Sequence, residues 1–356
     1  MEKRNGFSLI EFAMVTLILG VALVITVPVV LKSQEDARAL GCAARMSDLA
    51  KAVLAYEESN GRLPPAGLVD ASSNPSTAAD HGSFNAQSGR QLSWIVLTLP
   101  FLDQQDVFDA FELKHPVFAQ PENAIAKVIG ALKCPTDTVG GDFYIDFRAG
   151  ATVSRGNYVG FISPVHGELQ ERLPGALGGF EPGTDEGQRL VEISDGASNT
   201  FMLSEVRRRP DNDRDPRGAW PLPWIGSSTL ATDHHGVPSP FEPPYIADPN
   251  YPIDSIQTPN KLVGISDQIR TCPRALEALL DGMPCSRYAG YGSGFAAAAP
   301  RSLHEEGVNV ALADGRVTFV SNKINHIVYS NLISSNNGMP VTRNSLKSQR
   351  RRKSAR

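Results

Sequence analysis

The feature that most constrains this chain is an apolar run near its N-terminus. Residues 7–31 contain a single charged residue, Glu11. As a helix rising about 1.5 Å per residue, the run is roughly 37 Å long, which is enough to cross the ~30 Å hydrocarbon layer of a bilayer. Lys3 and Arg4 precede it, so the positive-inside rule keeps the leader, residues 1–6, in the cytoplasm. The sequence therefore predicts a transmembrane helix over 7–31 and export of everything that follows.

An ordinary secretory signal peptide is one competing interpretation of this run. Such a peptide ends in a small-residue cleavage site, and residues 27–30, Val-Pro-Val-Val, provide none. We therefore expect the helix to remain in the mature protein. A carboxylate in a membrane-spanning run costs several kcal/mol unless it is paired, so Glu11 is a candidate functional residue. A plain signal anchor, in which Gly6 and Glu11 have no special role, stays open as the simpler alternative.

The residues around the start of the run carry a specific resemblance. Residues 6–11, Gly-Phe-Ser-Leu-Ile-Glu, resemble the signal of type IV pilins and type II secretion pseudopilins. The resemblance implies that a prepilin peptidase cleaves between Gly6 and Phe7 and methylates the new N-terminal Phe7. It also implies that Glu11 pairs with the N-terminal amine of a neighbouring subunit during assembly, where each charge compensates the other in the bilayer. Pro28 fits the same pattern and marks a kink or a local melting of the helix.

A second helical pattern follows the apolar run directly. Small and apolar residues recur at spacings of three and four, which predicts an amphipathic continuation of the helix over 32–60. These residues are Ala37, Leu40, Ala44, Leu49, Ala52, Val53 and Tyr56. Gly61 and the prolines after it are typical of a helix end. We expect this stalk to lay its apolar stripe on a sheet.

The rest of the chain reads as an exported α+β domain over residues 61–333. The 31 glycines and 26 prolines of the chain predict many turns and loop-rich insertions. Residues 308–320 form the clearest hairpin, because Asp-Gly favours a tight turn between two β-rich runs. The stretch 207–259 has little periodicity and is interpreted as an irregular insertion. The predicted fold is a long N-terminal helix packed on a largely antiparallel β domain.

Four cysteines occur, and none of them forms a CxxC pair, so the sequence gives no support for a zinc ribbon. Disulfides are expected in an exported protein. Of the three possible pairings we favour Cys42 with Cys134 and Cys272 with Cys285, because the second pair closes a short loop rich in turn residues. Four free thiols remain the alternative.

Several internal motifs are similar to those of a large bacterial family of prepilin-like proteins. That family has an uncharacterised C-terminal domain known for an H-x9-DG motif. The matching residues are the stalk end with Tyr56, Gly61 and Pro64–Pro65, the turn Cys134–Asp137, the segment Asp195, Gly196, Ala197, Ser198, Asn199 and Thr200, then Glu205, and finally His304 followed after nine residues by Asp314 and Gly315. The resemblance covers most of residues 1–333. It implies export and membrane anchoring, and it brings no established activity.

The acidic residues of these motifs allow two interpretations. Asp195, Glu205, His304 and Asp314 could converge on a cation, and oxygen ligands from acidic loops suit Ca²⁺. Alternatively, Asp195 and Asp314 each precede a glycine in a turn, where a carboxylate accepts backbone N–H bonds. His304 is then a polar partner that holds the hairpin. The structural interpretation is favoured, so we expect no cofactor, with Ca²⁺ as the alternative.

Other chemistry has less support. Asp233, His234 and His235 are interpreted as a solvated loop, because adjacent histidines point in different directions and need distant partners to bind a metal. No serine lies in a Gly-x-Ser-x-Gly elbow, and the cysteines are expected to be paired, so a hydrolase is not favoured. We expect that the protein is not an enzyme.

The C-terminal residues 334–356 are predicted to be a disordered basic tail. From Arg343 to Arg356 there are seven basic residues and no acidic one. Such a run cannot bury itself, and it is suited to holding polyanions such as DNA, acidic polysaccharide or lipid headgroups. An extension without a function remains the alternative.

These observations predict a pilin-like or pseudopilin-like structural or interaction protein in the cytoplasmic (inner) membrane of a bacterium. Its C-terminal domain lies outside, in the periplasm or at the cell surface. The expected partners are a prepilin peptidase, the inner membrane and other pilin-like subunits in a filament. The alternative is a surface-anchored module that never polymerises and that binds a polyanion or another extracellular ligand. Assembly therefore separates the two hypotheses.

Overall fold

The structure is a computed structural model that describes residues 9–70, 85–239, 243–262, 267–287 and 295–339. Gly6, Phe7 and the basic residues from Arg343 onward lie outside the described residues. The helices are α1 (Leu9–Asn60), α2 (Trp94–Thr98), α3 (Gln105–Asp109), α4 (Glu122–Ile125), α5 (Ala275–Leu280) and α6 (His326–Ile333). The strands are β1 (Gly67–Leu68), β2 (Leu92–Ser93), β3 (Phe143–Asp146), β4 (Ala151–Ser154), β5 (Tyr158–Ser163), β6 (Phe201–Glu205), β7 (Thr229–Ala231), β8 (Gly236–Val237), β9 (Ile246–Ala247), β10 (Asp267–Ile269), β11 (Cys285–Arg287), β12 (Gly307–Leu312) and β13 (Val317–Ser321).

Helix α1 is a single element of 52 residues. Its N-terminal part is long and apolar enough to cross a membrane, and the apolar window there has no contact with the rest of the chain that would bury it. The backbone stays helical through position 28, where a kink or local melting was expected. Gly61 ends the helix with a φ of 73°, and its N–H donates to the carbonyl of Glu57 at 2.7 Å. This is the glycine stop that the sequence predicts.

The C-terminal half of α1 packs on the domain, but only the later part of the predicted stripe does so, because Ala37, Leu40 and Ala44 are exposed. Its buried face includes Cys42, Met46, Leu49 and Val53, each at most 1% exposed. This face contacts strands β6, β12 and β13. The same helix therefore supplies both an uncovered apolar segment and one wall of the domain core.

The central sheet has five strands in the order β13-β12-β6-β5-β7. All neighbours are antiparallel except β5 and β7, which run parallel. Every residue of β5, β6, β7 and β12 is buried, so both faces of the sheet are covered. Helix α6 contacts β5 and β6, where Tyr329 packs edge-on against Phe161. The α+β prediction is confirmed.

Four short two-stranded sheets surround this core. Three pairs are antiparallel, β1 with β2, β3 with β4 and β8 with β9, while β10 and β11 are parallel. The loops between them account for much of the chain, as its glycine and proline content predicts.

Two assignments made from the sequence need correction, the role of residues 207–259 and the start of the C-terminal tail. The stretch 207–259 is irregular, but it contributes β7 to the central sheet and buries Trp220 and Leu222 in the core. Sequence periodicity misses it because β7 has only three residues. Residues 334–339 were assigned to the basic tail, yet Ser334 and Ser335 are at most 1% exposed and belong to the folded domain.

Candidate functional site

The Asp314–Gly315 pair forms the turn between β12 and β13. Gly315 has a φ of 83°, which favours glycine, and Leu312 N–H donates to the carbonyl of Arg316 at 2.8 Å. The Asp314 carboxylate accepts a bond from the backbone N–H of Arg316 at 3.1 Å and another from its guanidinium at 2.6 Å. The carboxylate of Asp314 is therefore used locally, as the structural interpretation of the motif predicts.

The segment Asp195–Thr200 lies against this turn. The backbone N–H groups of Ala313 and Asp314 donate to the carbonyls of Thr200 and Ala197 at 2.9 and 3.1 Å. The two motif segments, distant in the sequence, thus meet through main-chain hydrogen bonds.

The Asp195 carboxylate serves a different partner. It accepts bonds from the backbone N–H groups of Asn337 and Gly338, both at 2.8 Å. Gly196 has a φ of 94°, and Asn199 donates its side-chain amide to the carbonyl of Asp195 at 3.1 Å. Asp195 therefore fixes the chain after α6 to the body of the domain.

His304 lies before β12 and meets Glu205, the last residue of β6. Its Nε2 is 3.1 Å from Glu205 Oε1. Asn309 completes the set, because its backbone and side-chain N–H groups donate to the two Glu205 oxygens at 2.7 and 3.0 Å. Glu205 is 1% exposed, so these bonds satisfy a carboxylate that is out of contact with water.

The charge state of His304 follows from these neighbours. Burial alone would lower the pKa of His304, but its hydrogen bond to Glu205 and the charges of Glu205 and Glu35 together raise the pKa above its ordinary value. The raised pKa favours the protonated imidazole, which pairs with the buried Glu205 carboxylate.

This network contacts the stalk helix. Glu35 of α1 lies 3.8 Å from His304 Nδ1 and accepts a bond from the Thr136 hydroxyl at 2.8 Å. The disulfide Cys42–Cys134 joins α1 covalently to the domain at the same place, with Cys134 Sγ 3.7 Å from His304 Nε2. His304, the first residue of the H-x9-DG motif, therefore lies against the stalk helix beside the disulfide that ties this helix to the domain.

Both disulfides have the pairing that the sequence favours. Cys42 is bonded to Cys134, and Cys272 is bonded to Cys285. Cys42, Cys134, Glu205 and His304 place their ligand atoms within 4.8 Å of one another. Because both sulfurs are bonded to each other, neither is a thiolate, and only two donors remain for a metal.

The cation site considered for Asp195, His304 and Asp314 is not assembled. Among the described residues, neither aspartate belongs to a cluster with His304 that could hold an ion. The physical reason is that backbone N–H groups and Arg316 occupy their carboxylates. Calcium binding at these three residues is therefore not supported.

A second cluster corrects the interpretation of Asp233–His235 as a solvated loop. Asp233 and His234 are 6% and 0% exposed. His166, which follows β5, lies with its Nε2 2.6 Å from Asp233 Oδ1 and 3.0 Å from His235 Nε2. The residues come together because β5 and β7 are parallel neighbours, so the C-terminal ends of the two strands lie side by side. Sequence patterns do not single out His166, because its contacts depend on the parallel pairing of β5 with β7.

The protonation of this second cluster follows from its burial. Burial would raise the pKa of Asp233, but hydrogen bonds from His166 and His235 and their charges bring that pKa below its usual value. Burial lowers the pKa of His234 to about 4, so this histidine is neutral. His234 makes its contact elsewhere, with its Nε2 3.1 Å from the carbonyl oxygen of Asp248.

Four arginines line a pocket of about 310 Å³ beside the Cys272–Cys285 disulfide. Its lining includes Arg148, Arg214, Arg270 and Arg287, with Asp146 as the acidic residue and Phe147 as an aromatic one. Burial lowers the pKa of Arg270, and the nearby charges of Arg148 and Arg287 lower that pKa further. The pocket is therefore a region of concentrated positive charge in a protein whose net charge is −4.

Comparison with curated proteins gave no significant match, and neither did comparison with solved structures. One family model does match, over residues 32–326, which include most of the stalk and nearly the whole domain. The matched residues contain both the hydrogen-bond network around His304 and the cluster around His166. This chain belongs to the family described as "Protein of unknown function (DUF1559)".

Proposed function

We propose that this protein is a pilin-like or pseudopilin-like subunit, anchored in the cytoplasmic membrane by α1 with its domain outside. The observation that carries the proposal is that one uninterrupted helix contains both the apolar segment and a wall of the domain core. A removable signal peptide needs no such continuity. A subunit whose helix packs into a filament does need it, because the helix must fix the orientation of the domain.

The contacts between stalk and domain support this role. Cys42 is bonded to Cys134, and Glu35 lies beside His304, so the stalk is held covalently and electrostatically at the point where it leaves the apolar segment. A domain attached in this way moves with its helix. That property suits a structural subunit better than a module on a flexible tether, and the proposed role assigns no enzymatic activity to the chain.

Processing is the first step of the proposed function and is tested at the N-terminus. The chain is purified from its native membrane and its N-terminal peptide is analysed by mass spectrometry. We expect a peptide that starts at N-methylated Phe7, produced by a prepilin peptidase that cleaves after Gly6. Recovery of the intact Met1 would show that the segment is a plain signal anchor.

Assembly is the second step and is tested at Glu11. In the proposed filament, Glu11 compensates the N-terminal amine of a neighbouring subunit inside the bilayer, where an unpaired charge is costly. We expect the native chain to give a chemically cross-linked ladder in whole cells, and we expect Glu11→Ala to remain in the membrane fraction without giving that ladder.

Glu58→Ala is the matched control, because Glu58 is an exposed carboxylate on the same helix outside the apolar segment. It is expected to cross-link as the native chain does. A native chain that gives no ladder, or a Glu11→Ala chain that gives the full ladder, would contradict assembly and favour an anchored module that does not polymerise.

Binding of a polyanion by the domain is a second candidate function, favoured by the arginine pocket. Guanidinium groups bind carboxylates, sulfates and phosphates through paired hydrogen bonds. The charges of Arg148, Arg270 and Arg287 repel one another, and an anionic ligand would relieve that repulsion. The basic residues beyond Arg343 would add to the same attraction.

Heparin serves as the probe for this second function. The double substitution Arg270→Gln with Arg287→Gln is expected to lower the salt concentration at which the full chain elutes from heparin, since exposed charge pairs are screened by salt. Arg189→Gln, which removes an exposed arginine paired with Glu192, should elute as the native chain does. Equal elution of all three proteins would exclude the pocket as the binding surface.

A further inference from the structure

We infer that His166, Asp233 and His235 form a binding site for one divalent transition metal ion of the Zn²⁺ type. The site lies at the C-terminal ends of β5 and β7 in the central sheet. The inference rests on the geometry of these three side chains and does not depend on export, processing or assembly of the chain.

The three donor atoms form a small triangle. Asp233 Oδ1 lies 2.6 Å from His166 Nε2 and 3.3 Å from His235 Nε2, and the two nitrogens are 3.0 Å apart. A tetrahedral zinc ion with bonds of about 2.0–2.1 Å places its donors about 3.4 Å apart. Each pair of donor atoms therefore has to move apart by less than about 1 Å to accept the ion.

The contact between the two histidines is informative. The lone pairs of two Nε2 atoms 3.0 Å apart repel each other unless a proton or a cation lies between the atoms. An ion bound to both lone pairs and to the Asp233 carboxylate satisfies all three atoms at once. The competing arrangement has no metal, and in it the His166 Nε2–H proton is shared between Asp233 Oδ1 and His235 Nε2.

The backbone holds these side chains in place before any ion binds. Asp233 N–H donates to the carbonyl of Val165 at 2.7 Å, and His234 N–H donates to that of Pro164 at 3.1 Å. Asp233 has a φ of 53°, in the left-handed region that few residues adopt without support. These bonds fix the loop after β7 directly beside the segment that carries His166.

Aromatic rings restrict the two imidazoles further. Phe295 stacks on His166 with ring centroids 3.9 Å apart, and Tyr251 stacks on His235 at 4.9 Å with an interplanar angle of 9°. The ring of His234 meets the carbonyl of Asp248, so it does not compete for the site. The adjacent histidines thus point in different directions, and only one of them joins the cluster.

The donor set selects the class of metal. Two imidazole nitrogens with one carboxylate oxygen suit Zn²⁺ and similar ions, whereas Ca²⁺ and Mg²⁺ prefer sites made of oxygens alone. The side chains of Asp233 and His235 are 9% and 19% exposed, so the site is reached from solvent on their side. Three protein ligands leave a fourth position for a water molecule.

The test measures Zn²⁺ binding by the full chain in detergent, purified with a tag that lacks histidine and stripped with a chelator. We expect one Zn²⁺ per chain by elemental analysis after dialysis. Co²⁺ added in place of Zn²⁺ is expected to give the visible absorption bands of a four-coordinate ion.

Asp233→Asn and His235→Gln are the test variants, chosen because both side chains are less buried than His166. Each removes one of three ligands and should weaken Zn²⁺ binding by about 100-fold or more, since changes outside the ligand shell alone cost about 10–100-fold. His115→Gln is the matched control, because His115 is an exposed histidine paired with Glu112. Circular dichroism of each variant establishes that it is folded.

Loss of Zn²⁺ and of the Co²⁺ bands in both folded variants, with retention in His115→Gln, would support the site. Failure of the native chain to retain stoichiometric Zn²⁺ would overturn the inference in favour of the arrangement without metal. Retention of the ion by the folded variants would also overturn it. If one variant fails to fold, the other decides.

Discussion

His304 and Glu205 are both buried and lie 3.1 Å apart, so each compensates the charge of the other. A buried ion pair that loses one member leaves an uncompensated charge, which costs more than the pair itself contributes. His304→Gln should therefore lower the free energy of unfolding by about 2–3 kcal/mol, less than the full cost because Asn309 still donates to Glu205. Urea titration of the oxidised protein at pH 7 measures this change.

His115→Gln is the control for that substitution, since its side chain is 59% exposed and its contact with Glu112 lies in solvent. It should change stability by less than about 0.5 kcal/mol. Equal stabilities of the two variants would show that the His304 network contributes nothing. A double variant, His304→Gln with Glu205→Gln, should recover part of the loss because the buried charge is gone.

The same ion pair predicts a dependence of stability on pH. The pKa of His304 is raised in the folded protein by Glu205 and Glu35, so its contribution is complete below the unfolded pKa, about 6.5. The contribution is lost as the pH rises through the higher folded pKa. The native chain should lose more stability than His304→Gln between pH 6.5 and the alkaline range, as measured by urea titration at several pH values. Parallel curves would contradict the ion pair.

Most motif residues could be assigned a structural role from sequence, because Asp-Gly pairs carry a local preference for turns. Asp314 and Gly315 form the predicted turn, and Asp195 accepts backbone N–H bonds. The partners of these groups were not predictable. The cation hypothesis groups His304 with Glu205, and these two do meet, but Asp195 and Asp314 do not join them. The meeting of His166 with Asp233 depends on the order of strands in the sheet, which no local pattern encodes.

At the scale of elements, the two disulfides differ in what they constrain. Cys42–Cys134 closes a separation of 92 residues and ties α1 to the domain, whereas Cys272–Cys285 closes 13 residues between β10 and β11. In the chain-entropy model the longer loop contributes about 4.6 kcal/mol and the shorter about 2.9 kcal/mol.

Replacing both cysteines of a pair by serine tests that difference. Cys42→Ser with Cys134→Ser should lower the thermal midpoint more than Cys272→Ser with Cys285→Ser, by the equivalent of about 1.7 kcal/mol. Differential scanning calorimetry of both variants in the same detergent gives the comparison. A larger loss from the shorter loop would show that local packing, and not loop closure, governs the effect.

Elements with a strong local signal were predictable and elements fixed by distant pairing were not. The stalk helix and the hairpin of β12 and β13 follow from periodicity and from the Asp-Gly turn. The parallel pairing of β5 with β7 does not, because three-residue β7 lies in a stretch without periodicity. Its place in the sheet is decided by tertiary contacts.

At the scale of the whole molecule, the apolar part of α1 does not pack on the domain core. The apolar window is 0% buried, so its removal takes no packing from the core. A chain that starts at residue 32 should therefore remain in solution without detergent and melt within about 2 °C of the full chain, because surface changes away from the core cost within about 0.5 kcal/mol.

A chain that starts at residue 43 is the matched control. It also lacks Glu35 and Cys42, so it loses the contact with His304 and the disulfide to Cys134. We expect a clearly lower melting temperature for this shorter chain. If the chain from residue 32 aggregates or melts as low as the control, the apolar segment has a part in the domain that the structure does not give it.

The bond between Cys42 and Cys134 also decides how the molecule responds to mechanical load. When the membrane end of α1 is pulled against the C-terminal end of the domain, tension crosses the bridge, and the backbone between these cysteines carries none. In oxidised protein the chain across this separation of 92 residues cannot extend, which shortens the fully stretched chain by about 320 Å. This protected segment includes four core residues, Leu49, Val53, Trp94 and Val96. They bear no pulling force for as long as the disulfide is intact.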